Sequence, residues 1–100
     1  MVEITHKNTS LRIAIAEATV KVSKEETIEA IKNNLVPKGN VFEMAKTSGL
    51  FAVKKTSDLI PDCHPLPVEY TGVSYEIDGL EIKILLEVRT IYRTGVEVEA

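Results

Sequence analysis

The chain has 100 residues, 44% of them apolar and 27% charged, with a net charge of −3 and only five aromatic side chains. That balance fits one globular domain with a core of Ile, Val, Leu and Ala, and it excludes a disordered or fibrous chain. The acidic total argues against general nucleic-acid binding but permits an anionic small molecule, because local charge sets the potential of a pocket.

The first residues, "MVEITHKNTS", lack the basic-then-apolar layout of a signal peptide. No apolar run approaches the roughly 18 residues of a membrane span. One cysteine makes no intrachain disulfide and gives no zinc-ligand spacing. Together these predict a cytoplasmic protein without membrane, nucleic-acid or metal partners.

"LRIAIAEATVKV" (Leu11–Val22) alternates as a strand does, with Leu11, Ile13 and Ile15 on one face and alanines on the other. Apolar or small residues on both faces predict cover on both sides. Ser23-Lys24-Glu25-Glu26 then reads as a capping box with Ser23 at the N-cap. Ile28, Ile31 and Leu35 follow at helical spacing, and Asn33-Asn34 is a stop signal. A second helix is predicted from about Asn40 to Lys55. On it Val41, Ala45, Gly49 and Ala52 share a stripe about 80° wide, narrow enough for close packing. Met44, Leu50 and Phe51 lie on its other sides, which points to a buried helix or a subunit contact.

"LIPDCHPLP" (Leu59–Pro67) comes next, and after it a hairpin. Val73, Tyr75 and Ile77 alternate up to Asp78-Gly79, and Leu80 to Val88 alternate away from it. Taking Asp78-Gly79 as a type I′ turn predicts that Ile77 faces Leu80, Tyr75 faces Ile82 and Val73 faces Ile84. Strand, helix, helix, strand, strand is an α+β order, with helices on one face of an antiparallel sheet.

Three constellations could carry chemistry. Ile60, His64 and Leu66 each precede a proline and are held extended, so Cys63 and His64 sit on a stiff segment. Neighbours on an extended chain point apart, which disfavours a thiolate–imidazolium pair. His64 is then a fixed donor, acid or base, unless the segment is only a rigid connector. At the end, "YRTGVEVEA" puts Glu97 and Glu99 two apart. In extended chain they would share a side roughly 7 Å apart and divide proton-holding duties; a solvated terminus is the alternative. Lys38 before Gly39, with Lys54, Lys55, Arg12 and Arg93, offers cationic points for phosphate. Surface lysines of no special role would look the same.

In order, "LRIAIAEATVKV", "KGNVFEMAKTSGLFAVKKTSDLIPDCHPLP" and "YRTGVEVEA" resemble the molybdenum cofactor biosynthesis protein C family, the cyclic pyranopterin monophosphate synthases. The likeness runs along essentially the whole chain, residues 1–100 as one domain. It implies a ferredoxin-like α+β fold and a lyase that turns a cyclised dihydro-GTP into cyclic pyranopterin monophosphate, releasing pyrophosphate, with no cofactor of its own. It further implies a hexamer, a trimer of dimers, with active sites between subunits. Carried over by position, Lys38, His64, Glu97 and Glu99 would be catalytic. Asp62, Cys63, His64, Val98 and Glu99 would contact substrate, and Arg12 and Lys54 would help hold phosphate. Asp62 replaces the apolar residue usual in the family. The family's C-terminal helix and strand, with a catalytic aspartate and lysine, are expected to be missing from this chain. The competing expectation is an inactive nucleotide-binding or assembly module of the same family.

Overall fold

The computed structural model describes residues 1–100. Strand β1 (Ser10–Lys21) leads to helices α1 (Glu25–Lys32) and α2 (Val41–Leu59), then to strands β2 (Tyr70–Asp78) and β3 (Glu81–Tyr92). The three strands form one antiparallel sheet in the order β1-β3-β2, so β3 is central. This is the expected α+β architecture, consistent with a ferredoxin-like fold.

Local signals explain most boundaries. Asn40 caps α2, its side chain accepting from the Glu43 N–H at 3.0 Å. The helix runs one turn further than expected and stops at Ile60, which Pro61 drives out of helical geometry. Helix α1 ends at the predicted asparagines. Asn34 is left-handed with φ 54, and the N–H groups of Asn34 and Leu35 donate back to Ile31 and Ala30. These two bonds satisfy otherwise orphaned carbonyls in a Schellman stop. Its start differs from expectation. The N-cap is Lys24, with no side-chain bond, so the anticipated Ser23 capping box does not form.

The hairpin is present in a different register. Ile77 pairs with Ile82, Tyr75 with Ile84 and Val73 with Leu86. The connecting residues are Gly79 and Leu80, and only Gly79, at φ 59, has positive φ. That is the pattern of a type II′ turn, whereas a type I′ turn on Asp78-Gly79 would need Asp78 there too. Each partner moves by two residues, and the period-2 faces survive unchanged.

Cover is one-sided. Val53 of α2, Val88 of β3 and Val96 form the core cluster, with Ala14, Leu66, Val68, Leu86 and Ala100 packed against it. On α2 the sheet-facing residues are Gly49, Val53 and Thr56, rather than the predicted alanine stripe; Ala45 and Ala52 are exposed. The buried stripe is turned by about 50° from that expectation, because Val53 hides more apolar surface than an alanine could. On the opposite face Leu11, Ile13 and Ile15 remain 62%, 52% and 64% exposed, which corrects the expectation of cover on both sides. Ile91, Leu85 and Tyr70 extend this bare apolar face across the sheet.

The accessible surface is 7003 Å², against roughly 5,700 Å² expected for a compact chain of this mass. A radius of gyration of 16.5 Å likewise exceeds the roughly 13 Å of a compact hundred-residue domain. The excess, about 1,300 Å², is larger than one side of a standard protein interface, about 800 Å².

A β-carbon added at Gly49 would meet Leu86 and Val73 at 3.5 and 3.6 Å, ordinary contact distances. Gly49→Ala is therefore expected to raise unfolding free energy by about 0.5–1 kcal/mol through helix propensity. Gly49→Leu, whose branches have nowhere to go, is expected to lower it. Chemical denaturation of both variants checks the pair.

Candidate functional site

The site grows from the underside of the proline segment. Thr90, fully buried on β3, donates its hydroxyl proton to the Pro67 carbonyl. The Glu69 N–H donates to Arg89 O at 2.9 Å and carries the loop into the sheet. A turn closed by Cys63 N–H to Ile60 O at 3.0 Å joins the same loop to α2. Cys63 and His64 are therefore fixed at both ends of their segment.

After β3 the backbone turns instead of extending. The Ala100 N–H donates to Val96 O at 3.0 Å, and Val96 is wholly buried. The turn separates the two glutamates: Glu99 points inward at 8% exposure, while Glu97 is exposed with its carboxylate over Gly95. The expected same-side pair of Glu97 and Glu99 is thus replaced by one buried and one surface acid. Val98, between them, is exposed.

Glu99 meets the proline loop directly. The Cys63 thiol donates to Glu99 Oε2 at 3.4 Å. Burial pushes the Cys63 thiol up from its ordinary pKa, and the Glu99 hydrogen bond and charge push it the same way. A thiol held protonated is a poor nucleophile, which fits the reading of Cys63 as a contact residue.

Lys54, Ser57, His64 and Glu99 rim a cavity of about 150 Å³, walled by Val53, Leu66 and Val68 of the core. Lys54 has no ion-pair partner, whereas Lys55 pairs with Asp58 at 3.4 Å. The cavity thus offers one free cation, one buried acid and one imidazole. A larger cleft of about 510 Å³ along β2 includes Lys46, Tyr70 and Glu87, but Glu87 is already tied to Arg89 at 2.9 Å. The smaller cavity is the better candidate for proton chemistry. No group of three or more His, Cys, Asp or Glu side chains is gathered for a metal ion.

Other expected residues lie elsewhere. Asp62 turns to the far side of the loop, 3.2 Å from the Met1 ammonium. Arg12 is opposite Thr90 on the covered sheet face, its Nε buried without a hydrogen-bond partner. Lys38 is exposed before α2, about 20 Å or more along that helix from Lys54. Within one chain, then, Lys38 and Glu97 do not join His64 and Glu99. Ser57 escaped the sequence reading. Its signal was available, three residues after Lys54 and so on the same helical face.

Known proteins match the sequence along its whole length. The profile described as the MoaC family matches residues 1–100. The chain belongs to the MoaC family. It is 47% identical over 100 residues to a probable cyclic pyranopterin monophosphate synthase of Sulfolobus acidocaldarius, covering all of this chain and 69% of that protein. It is 45% identical to a protein of the same printed name from Pyrococcus furiosus, again over its whole length and 64% of the relative. The cyclic pyranopterin monophosphate synthase of Clostridium perfringens strain SM101 is 45% identical over 102 aligned positions, 64% of its length. The chain therefore spans about two-thirds of the length of these MoaC relatives.

Replacing Glu99 by Gln removes one of the causes that hold the Cys63 thiol protonated, the charge, and weakens another, because an amide oxygen is a poorer acceptor than a carboxylate. Glu99→Gln is expected to increase the iodoacetamide alkylation rate of Cys63 at mildly alkaline pH, because more thiolate is present at any given pH. An unchanged rate would show that the Glu99 charge has no part in holding the thiol protonated.

Proposed function

We propose that this chain acts as a cyclic pyranopterin monophosphate synthase, a lyase of molybdenum cofactor biosynthesis. The reaction rearranges a cyclised dihydro-GTP to cyclic pyranopterin monophosphate and releases pyrophosphate. The observation that carries the reading is the convergence of Lys54, His64 and buried Glu99 on one cavity.

Each rim group has a part suited to its chemistry. The free Lys54 ammonium meets a phosphate oxygen of the substrate. Glu99, facing inward from the C-terminal turn, accepts a proton as the purine-derived ring opens. His64 exchanges a proton with the same bound skeleton, and groups of this kind contribute about 10²–10⁴-fold each. Cys63 steadies Glu99 through its thiol and takes no covalent step.

A cavity of about 150 Å³ is smaller than the roughly 300–1,000 Å³ of a usual ligand pocket. It admits one portion of a nucleotide triphosphate, and the remainder must lie against other protein surface. In the assembly the resemblance implies, a homo-oligomeric trimer of dimers, a neighbouring subunit would bring Lys38 or Arg12 toward the cavity. The bare face of Leu11, Ile13 and Ile15 is surface of the kind such an assembly covers. No helix of the structure is long and apolar enough to cross a membrane, in keeping with a cytoplasmic enzyme. The second reading, an inactive nucleotide-binding or assembly module, draws on the same bare face and on Lys38 lying apart from the cavity.

Purified chain incubated with the cyclised dihydro-GTP is expected to release pyrophosphate. His64→Ala and Glu99→Ala should each reduce the rate by about 10²-fold or more. Absence of turnover with binding retained would favour the module. Ile13→Asp places a charge on the bare sheet face, and sedimentation velocity should show it shifting the chain to smaller species. An unshifted profile counts against assembly through that face.

A further inference from the structure

His64 borders two cavities. On one side lies the cavity with Lys54, Ser57 and Glu99. On the other is an open cleft of about 610 Å³ lined by Met1, Val2, Ile4, Lys7, Asp62 and Thr94. In that cleft His64 Nε2 lies 2.6 Å from the Val2 carbonyl oxygen. A carbonyl only accepts, so Nε2 must carry the proton. The segment is held by Ile4, 7% exposed, and by the turn from Lys7 N–H to Ile4 O at 3.0 Å. Met1 and Val2 themselves bury little, so the contact is made by backbone laid across the ring.

We propose that the segment Val2–Ile4 is a positioning element for His64: the Val2 carbonyl fixes the Nε2–H tautomer and leaves Nδ1 as the only ring nitrogen free to accept a proton. The proposal rests on His64 being a proton-carrying group of the reaction above. An imidazole free to swap tautomers and turn would offer the wrong nitrogen for part of the time. Anchoring it from behind orients it without using any group of the substrate cavity, as a second carboxylate or carbonyl orients catalytic histidines elsewhere.

Nitrogen-15 NMR of the ring nitrogens in the full chain reads this directly, at a pH where both histidines, His6 and His64, are neutral. His6→Gln assigns the signals. His64 is expected to show a single tautomer, with Nε2 protonated and its proton in slow exchange with water. Deleting residues 1–3 removes the acceptor and only exposed side chains, and Ile4→Ala loosens its anchor. Both should average the tautomers and speed Nε2–H exchange by roughly tenfold, the scale of one hydrogen bond. Lys7→Ala, which lines the cleft without touching the ring nitrogen, should leave the signals unchanged, and backbone amide spectra verify that each variant is folded. Averaged tautomers in the intact chain, or a tautomer that stays fixed after the deletion, would overturn the proposal. Where pyrophosphate release is measurable, the deletion should lower kcat and leave KM nearly unchanged. A fixed tautomer in a chain that releases no pyrophosphate would support this proposal while counting against the synthase reading.

Discussion

The buried Thr90 hydroxyl bonded to the Pro67 carbonyl is the contact on which the arrangement depends. Proline offers no N–H, so a proline-rich segment has fewer means of attaching itself to a sheet. Here attachment comes from a side chain of the central strand, at a point no water reaches. A hydroxyl left unsatisfied there would cost about 1–3 kcal/mol. The bond therefore sets where the loop crosses β3, and through the stiff proline backbone it sets where Cys63 and His64 stand.

Around this point the chain collects opposite charges with unequal exposure. Glu99 is buried against the Cys63 thiol, while Lys54 reaches from an exposed position on α2. An acid kept from water and a cation left in it are suited to different tasks: proton exchange for the first and capture of an anionic group for the second. The chain's overall acidity does not oppose this, since the only charges that count at the cavity are those on its rim.

Much of this was legible in the sequence because its signals were local. The Asn40 cap, the Asn33-Asn34 stop and the pre-proline residues act within a few positions of themselves. The hairpin faces were legible, but the register was not. Asp78-Gly79 and Gly79-Leu80 both make acceptable two-residue turns, and they differ by a shift that leaves every side chain on its own face. Glu97 and Glu99 failed for a different reason. "VEVE" alternates like a strand, and only burial of Val96 beside Val53 and Val88 bends it into a turn. Residue type and position singled out His64, Glu99 and Lys54, the family resemblance gave them roles, and the fold brings those three together. The Val2 carbonyl gave no sign at all, because a backbone oxygen has no letter in the sequence.

Strand order also governs the sequence of events during synthesis. β1 has its only partner in β3, with Ser10 opposite Tyr92 and Lys21 opposite Glu81. A ribosome adding about 5–20 residues per second leaves that apolar strand without its partner for roughly 4–15 seconds after it emerges. During that interval a run such as "IAIA" is a ready template for other nascent chains, and the alternatives open to it are a chaperone or a neighbour's sheet.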